Sequence, residues 1–416
     1  MSGPPPIVGA DVSGSALKII RLRLKPAAEK AVRSGHPWVY ADSVREQSAD
    51  GMNSDLAVVY DRADRFLAAG IYDPDSPIRV RIVHVGKPRP IDRKFWADRM
   101  RAAIGSREPL FDAGTTGYRL INGESDGFPG FVLDRYDGVQ VLKLYTAAWF
   151  PRLPEMLELV GVATDDRPLV LRLARNLQAV AEAGYGLRDG QILCGGEIAE
   201  KIVFRENGLR FHADVVKGQK TGFFLDQRDN RRRVGTLAAG RHVLNCFSFS
   251  GGFSLYAARG GAASVSDLDI SRHALDAAQA NFELNHDISE VAGCGHRLIQ
   301  GNAFDWLKST VEARFDLLVL DPPSLAKKKA DREGAAKAYR QLSAAGIRRL
   351  RKDGILVSAS CSAHIGRDEF FDLVVGTARD SGRRFHEIGR EGHAPDHPAT
   401  FPEAAYLKCA YLQFEG

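Results

Sequence analysis

The chain is poor in the features that would tie it to a membrane, a metal or a disulfide framework. Its 416 residues include 5 cysteines (Cys194, Cys246, Cys294, Cys361 and Cys409), scattered and without a CxxC pair, so neither a zinc site nor a disulfide scaffold is indicated. No metal is expected. An odd cysteine count leaves room for one working thiol. No uninterrupted apolar stretch approaches the length that crosses a bilayer, and the opening Met1-Ser2-Gly3-Pro4-Pro5-Pro6 puts no basic segment ahead of an apolar run. A cytoplasmic protein with no membrane partner is the expectation. Internal repeats are also missing, as are low-complexity tracts beyond those first prolines.

What is present is ordinary in bulk. A hydrophobic fraction of 44% and a charged fraction of 26% fit a globular protein, and the length allows two or three separate cores. The net charge of +5 is mildly basic and compatible with a polyanionic partner. Basic residues cluster at Arg231-Arg232-Arg233, at Lys327-Lys328-Lys329 and from Arg348 to Lys352. Taken alone, each cluster reads first as a solvated face.

Three regions follow one another. Residues 17–86 form a β-rich unit of alternating segments, among them Leu56–Tyr60, Phe66–Tyr72 and Ile78–Val83, and a Pro-rich linker closes it near Gly86. Residues 88–200 combine a helical stretch, Asp92 to Ile104, with strands broken by Asn122-Gly123 and Asp137-Gly138 turns. From 205 to 416 apolar strands alternate with helical segments, the rhythm of an α/β domain with a mostly parallel sheet. Its strands are predicted at 241–246, 264–269, 296–300, 315–321 and 355–360, and its helices at 252–259, 271–286, 303–313 and 335–351. Ser271 and Asn302 are positioned as N-caps.

In such a sheet, ligands lie beyond the carboxyl ends of the strands, where strand order reverses. The first predicted strand runs into Asn245-Cys246-Phe247-Ser248-Phe249-Ser250-Gly251-Gly252, a turn whose glycines let the backbone approach a ligand at a helix N-terminus. Phe253 breaks the GxGxxG pattern, which points away from a dinucleotide and toward a nucleoside without phosphates. Asp269 closes the second strand, placed to accept bonds from ribose hydroxyls, and Asn302 follows the third, placed to accept from an adenine amine. S-adenosylmethionine fits that set. Cys246 inside the turn suits packing beside the methionine moiety. The bland readings remain open: a turn acid for Asp269, a simple helix cap for Asn302.

Asp321-Pro322-Pro323 ends the fourth strand in a stiff turn, since each proline fixes its own φ and keeps the preceding residue extended. Enzymes that methylate an exocyclic amine typically place an aromatic residue after such prolines, and Ser324 stands there instead. The next strand ends in Ser360-Cys361-Ser362. Two sequential parallel strands meeting at the switch point would bring Asp321 and Cys361 into one crevice. A thiolate adding to carbon six of cytosine activates carbon five toward a methyl donor, with Asp321 on the base edge as the acid that protonates a ring nitrogen. The alternative for Cys361 is a small buried hydrophobe.

The chain resembles the bacterial large-subunit ribosomal RNA cytosine-5 methyltransferase family from about residue 17 onward. The residues that carry the likeness are His36-Pro37-Trp38-Val39, Tyr118 to Gly127, Lys220 to Asp229, Asn245 to Gly252, Asp321-Pro322-Pro323, Ser360-Cys361-Ser362 and Asp396-His397-Pro398. It implies a PUA RNA-binding domain at 17–86, a central α+β domain at 88–200 and a class I, Rossmann-like methyltransferase domain at 205–416. It also implies S-adenosylmethionine as cofactor and RNA, large-subunit rRNA, as partner, with the target cytosine unpaired or extruded. Cofactor contacts are then expected from Gln227, Asn245, Cys246, Phe247, Gly251, Gly252, Asp269, Asn302, Asp321 and Pro322. RNA contacts are expected from Arg228, Pro323, Lys327, Tyr339 and Arg340. Asn302 stands where relatives often carry Asp, and Ser324-Leu325 follows the prolines in place of a Lys-Phe type of continuation.

Three readings compete at this point: a cytosine-5 methyltransferase working through Cys361, a methyltransferase for another base such as guanine with Cys361 structural, and an RNA-binding assembly factor without turnover. A homodimer is left open.

Overall fold

The segment Ile19–Leu24 turns Ile20, Leu22 and Leu24 inward and the residues between them outward, the period-two pattern of a strand with one face on a core. A computed structural model describes residues 18–309, 313–326 and 328–415. Within it the chain divides into two units. One comprises the residues up to Phe204 with Ala213–Phe223, the other Arg205–His212 with the residues from Phe224 onward.

The first unit opens with β1 (Ile19–Leu24), α1 (Pro26–Arg33), β2 (Trp38–Tyr40), β3 (Val44–Gln47), β4 (Leu56–Tyr60), β5 (Phe66–Tyr72) and β6 (Ile78–Val85). The six strands form one sheet in the order β2-β6-β5-β4-β1-β3. Next comes α2 (Arg93–Gly105), capped by Asp92, whose carboxylate accepts from the Phe95 amide. A second sheet, ordered β11-β10-β9-β8-β7, consists of β7 (Gly117–Asn122), β8 (Phe131–Tyr136), β9 (Val139–Leu144), β10 (Leu169–Leu173) and β11 (Ile192–Cys194). It is accompanied by α3 (Leu153–Thr164) and α4 (Gln178–Tyr185). Trp96 and Trp149 are fully buried in this part, edge to face with centroids 5.2 Å apart. Two segments that carried the family likeness meet here: the Trp38 indole and the Arg81 guanidinium both donate to Glu124 Oε1 at 2.8 Å.

A hairpin, β12 (Ile202–Glu206) and β13 (Leu209–Ala213), is followed by α5 (Arg228–Thr236), β14 (His242–Cys246), α6 (Gly252–Arg259), β15 (Ser264–Asp269), α7 (Arg272–Leu284), α8 (Ser289–Gly293) and β16 (Gly295–Gln300). Then come α9 (Ala303–Lys308), β17 (Phe315–Leu320), α10 (Arg332–Arg349), β18 (Leu350–Ser360), α11 (Arg367–Asp380), β19 (Phe385–Glu391) and β20 (Lys408–Phe414). The sheet of this second unit runs β16-β15-β14-β17-β18-β20-β19. Its first five strands are parallel, while β20 runs antiparallel to both β18 and β19. Strand order reverses between β14 and β17, which opens the crevice there. The run Leu317 to Leu320 is wholly buried, as a strand covered on both faces must be.

Three expectations change. Helix α9 ends at Lys308 rather than near 313, and the Arg349 guanidinium donates to the carbonyls of Trp306, Leu307 and Ser309 at that helix end. The switch point lies between β14 and β17, while β17 and β18 are simple neighbours with Leu320 beside Ser358. The triplet at 231–233 is not a solvated face. Consecutive helical residues point about 100° apart. Accordingly Arg231 is buried on Glu206, Arg232 is exposed, and Arg233 reaches Glu391 and lies over the Tyr411 ring.

Candidate active site

The turn after β14 is held in an uncommon backbone shape. Phe247 and Phe249 have φ of 60° and 47°, left-handed values that cost a non-glycine residue roughly 1–3 kcal/mol where they persist. Asp269 fixes the turn: its Oδ2 accepts from the Phe249 amide at 3.0 Å and its Oδ1 from the Ser271 amide at 2.9 Å. The Phe247 amide donates to the Leu268 carbonyl at 2.8 Å. Gly251 (φ 74°) owes its size to the protein itself, since a Cβ there would lie 2.9 Å from Ala278 Cβ and 3.2 Å from Asp267 Oδ2. That is a different reason from the ligand approach expected of it. Gly252 begins α6 and is buried.

Beneath the turn lies a carboxylate that sequence reasoning missed. Asp267 is fully buried and accepts from Asn245 Nδ2 at 3.1 Å and from Ser254 Oγ at 2.6 Å, with His296 Nε2 at 2.9 Å. Its only sequence signal is an acid in the middle of β15, between Val265 and Leu268. Asn245 Oδ1, Ser248 Oγ and Ser250 Oγ are buried there without a hydrogen-bond partner. Leaving such groups unsatisfied costs about 1–3 kcal/mol each, so a polar ligand at the turn fits them. A cofactor with ribose, amine and carboxylate groups has the chemistry to do so. Asn302 is exposed and caps α9, its Oδ1 accepting from the Phe304 amide at 2.9 Å. Cys246 departs from expectation: it is fully buried in the apolar core with Leu244, Leu268 and Leu320, and burial pushes its thiol up.

At the end of β17, Asp321 is partly buried, Pro322 buried and Pro323 exposed. Gln227 is not among the turn's contacts. It is buried, its Nε2 donates to Asp321 Oδ2 at 2.9 Å, and its Oε1 accepts from Asn230 Nδ2 at 2.6 Å. Asn230 Oδ1 in turn accepts from the Tyr411 hydroxyl at 3.2 Å. These links point one way, so Asp321 Oδ2 receives a hydrogen bond from an amide that cannot rotate away.

Cys361 follows β18 and is partly exposed. Ser362 ties its loop to the one after Asp321, accepting at Oγ from the amides of Leu325 (3.1 Å) and Ala326 (3.3 Å) and lying 3.1 Å from Ser324 Oγ. The Tyr339 hydroxyl donates to Ser360 Oγ at 2.8 Å and sits 3.3 Å from Ser362 Oγ. Burial pushes that phenol up to about 12. Tyr339 is only 1% exposed, so it is a strut behind the loops and not the RNA contact expected of it. Lys408, opposite Ser360 in β20, is another residue that sequence reasoning missed. It is buried, and its ammonium donates to the carbonyls of Ser362 at 2.7 Å and Ile365 at 2.8 Å.

Arg228 also departs from expectation. Its guanidinium is buried and forked onto Asp396 at 3.1 and 2.8 Å, with His397 Nδ1 3.1 Å from the same carboxylate, so it is held inside the protein rather than turned to RNA. Burial raises the Asp396 carboxyl, but His397 and Arg228 outweigh it and hold the group well below the usual carboxylate range. Arg340 is exposed on α10, and Lys327 lies outside the described residues. Among the described residues no group of three His, Cys, Asp or Glu is arranged to hold a metal ion.

Residues 184–413 match the model of an S-adenosylmethionine-dependent methyltransferase family, and residues 22–84 match that of a PUA-like domain. The chain is 55% identical over 403 residues to a ribosomal RNA large subunit methyltransferase of Deinococcus radiodurans, covering 95% of this chain and 98% of the relative. It is 37% identical over 402 residues to ribosomal RNA large subunit methyltransferase I of Shewanella amazonensis, covering 94% and 98%. In fold it is similar to a methyltransferase chain solved in complex with SAH, with TM-score 0.79 at 20% identity over 95% of this chain and 100% of that one. The methyl donor is S-adenosylmethionine, and the chain belongs to the family of S-adenosylmethionine-dependent ribosomal RNA large subunit methyltransferases that carry a PUA-like domain.

Proposed function

We propose that the protein methylates carbon five of a cytosine in large-subunit rRNA, with Cys361 as the nucleophile and Asp321 as the group on the base edge. The observation that supports this reading is the pairing of two neighbouring parallel strands, β17 and β18, that lead directly into Asp321 and Cys361, their loops tied together through Ser362. The names of the relatives supply the rRNA.

Bound S-adenosylmethionine supplies an electrophilic methyl group. The protein's task is to make a poor carbon nucleophile reactive. The Cys361 thiolate adds to carbon six, forming a carbon–sulfur bond, while Asp321 gives a proton to the ring nitrogen and the electron pair collects at carbon five. Once carbon five carries the methyl group, its proton passes to water or a basic group, the ring nitrogen returns its proton to the Asp321 carboxylate, and the thiolate departs from carbon six, restoring the ring double bond. The buried hydroxyls of Tyr339, Ser360 and Ser362 hold the loop of Cys361 in place. Gln227 keeps Asp321 in register, and the polar groups of the turn after β14, with Asn302 and Asp269, are the candidates for holding the cofactor.

The test uses labelled cofactor, rRNA and a Cys361→Ala variant. Wild type should yield 5-methylcytosine and trap a covalent adduct at Cys361 on RNA that carries a fluorinated cytosine, while the variant binds cofactor and transfers nothing. Normal turnover by Cys361→Ala, or label appearing on guanine without an adduct, would sink the assignment.

A further inference from the structure

Lys408 begins a strand whose next four residues, Cys409, Ala410, Tyr411 and Leu412, are all buried, and is itself 1% exposed. An ammonium taken out of water costs several kcal/mol unless it is hydrogen-bonded and faces opposite charge. Two of its protons are placed: the carbonyls of Ser362 and Ile365 bracket the turn that follows Cys361 and accept from it. Carbonyls supply dipoles, not a counter-charge. Among the groups around this loop, Asp321 stands beyond the end of β17, Tyr339 reaches in from α10, Glu369 lies in the first turn of α11, and His364, within the loop, is exposed to solvent. Glu369 is already engaged by Arg332 at 2.9 and 3.1 Å. Asp321 and Tyr339 can add only negative charge near Cys361.

We propose that Lys408 is a positioning residue for the methyl transfer: clamped on the turn after Cys361, its ammonium fixes the thiol and supplies the positive charge that favours the thiolate. This rests on the reading of Cys361 as the nucleophile. Burial pushes the Lys408 ammonium down to about 8, and Cys361 and Glu369 oppose that shift, so the lysine still carries its charge at neutral pH. A lysine, a point charge with donors on a flexible stem, meets the two carbonyls as no apolar residue of similar length can.

The experiment follows alkylation of Cys361 by iodoacetamide in the full-length protein, read at that residue by peptide mass spectrometry, from about pH 5 to about pH 10. In wild type the midpoint should fall at least about one unit below the free-thiol value of about 8.5. Lys408→Met should raise it by about one unit or more, slowing alkylation about tenfold at neutral pH while leaving the high-pH plateau unchanged. Lys408→Arg should restore the midpoint. A wild-type midpoint at or above the free-thiol value overturns the proposal without needing any variant to fold, and so does an unshifted midpoint in Lys408→Met. Methyl transfer by Cys361→Ala separates the two failures. An active Cys361→Ala removes the nucleophile reading and this proposal with it, whereas an inactive one with an unshifted Lys408→Met midpoint removes this proposal alone.

Discussion

Gln227 Nε2 donates to Asp321 Oδ2 at 2.9 Å, and Gln227 is held in turn by Asn230 at 2.6 Å. The bond gives Gln227, which was expected at the cofactor, a further task of aiming Asp321. Gln227→Leu keeps the bulk and removes the donor. Losing a hydrogen bond and leaving its partly buried acceptor without a donor costs about 1–3 kcal/mol, so kcat should fall by about tenfold. Affinity for S-adenosylhomocysteine, measured by calorimetry, should stay within about threefold of wild type. Weakened cofactor binding with kcat intact would restore the role first expected of Gln227.

Ser248 and Ser250 give opposite signs in the free and bound protein. Their hydroxyls are buried without partners, so replacing each by Ala removes an unsatisfied group. The cofactor-free Tm of Ser248→Ala and Ser250→Ala should therefore match or exceed that of wild type. S-adenosylhomocysteine should bind about fivefold to tenfold more weakly, the value of one lost hydrogen bond. Equal affinity in both variants would show that the turn's orphan groups face something other than the cofactor.

The pair Arg228–Asp396 holds the start of α5 to the Asp396-His397-Pro398 loop from inside. Removing one partner of a buried pair strands the other, so Arg228→Ala should lose about 3–5 kcal/mol in urea unfolding. Its folded fraction should bind rRNA with the salt dependence of wild type, because the guanidinium does not reach phosphate. A shallower slope of log Kd against log salt would return Arg228 to the RNA contacts.

Asp396 also fixes the direction of a pH effect. Its folded carboxyl is held below the usual range by His397 and Arg228 despite burial, while unfolded chains protonate Asp near 3.9. The unfolded state thus takes up the proton first as pH falls. The stabilisation is complete above about pH 5 and is lost as acid approaches the folded value. Unfolding free energies of wild type and Asp396→Asn should differ by a constant amount above about pH 5 and converge below about pH 4. A gap that widens in acid would mean the carboxyl is not held low.

Much of this architecture was legible along the chain, and the misses share one cause. The central strands β17 and β18 carry buried apolar runs that lead into Asp321 and Cys361, so local pattern located those strand ends. What the pattern lacked was partners. Lys408 and Ser360 are 48 positions apart and meet only because β20 inserts antiparallel beside β18. Arg228 and Asp396 are separated by 168 residues, so nothing near Arg228 in the chain shows that its charge is spent inside the protein. Cys246 was placed at the ligand because it sits inside the turn motif. Strand alternation instead sends Asn245 toward Asp267 and Cys246 into the apolar core.

With Arg228 and Tyr339 withdrawn inside the protein, Arg340 is the described, exposed cation on α10 that remains among the residues expected to meet RNA. It shares that helix with Tyr339, whose hydroxyl supports the Cys361 loop, so a phosphate contact there would hold RNA near the reacting base. A single phosphate contact releases about one counterion. Arg340→Ala should therefore weaken rRNA binding across sequences and flatten the slope of log Kd against log salt by about 1. KM for rRNA should rise while kcat at saturating RNA stays near wild type, because the side chain positions the backbone and touches no reacting atom. An unchanged salt slope would place the RNA path on another face of the domain, and a fall in kcat alone would tie Arg340 to the chemistry instead.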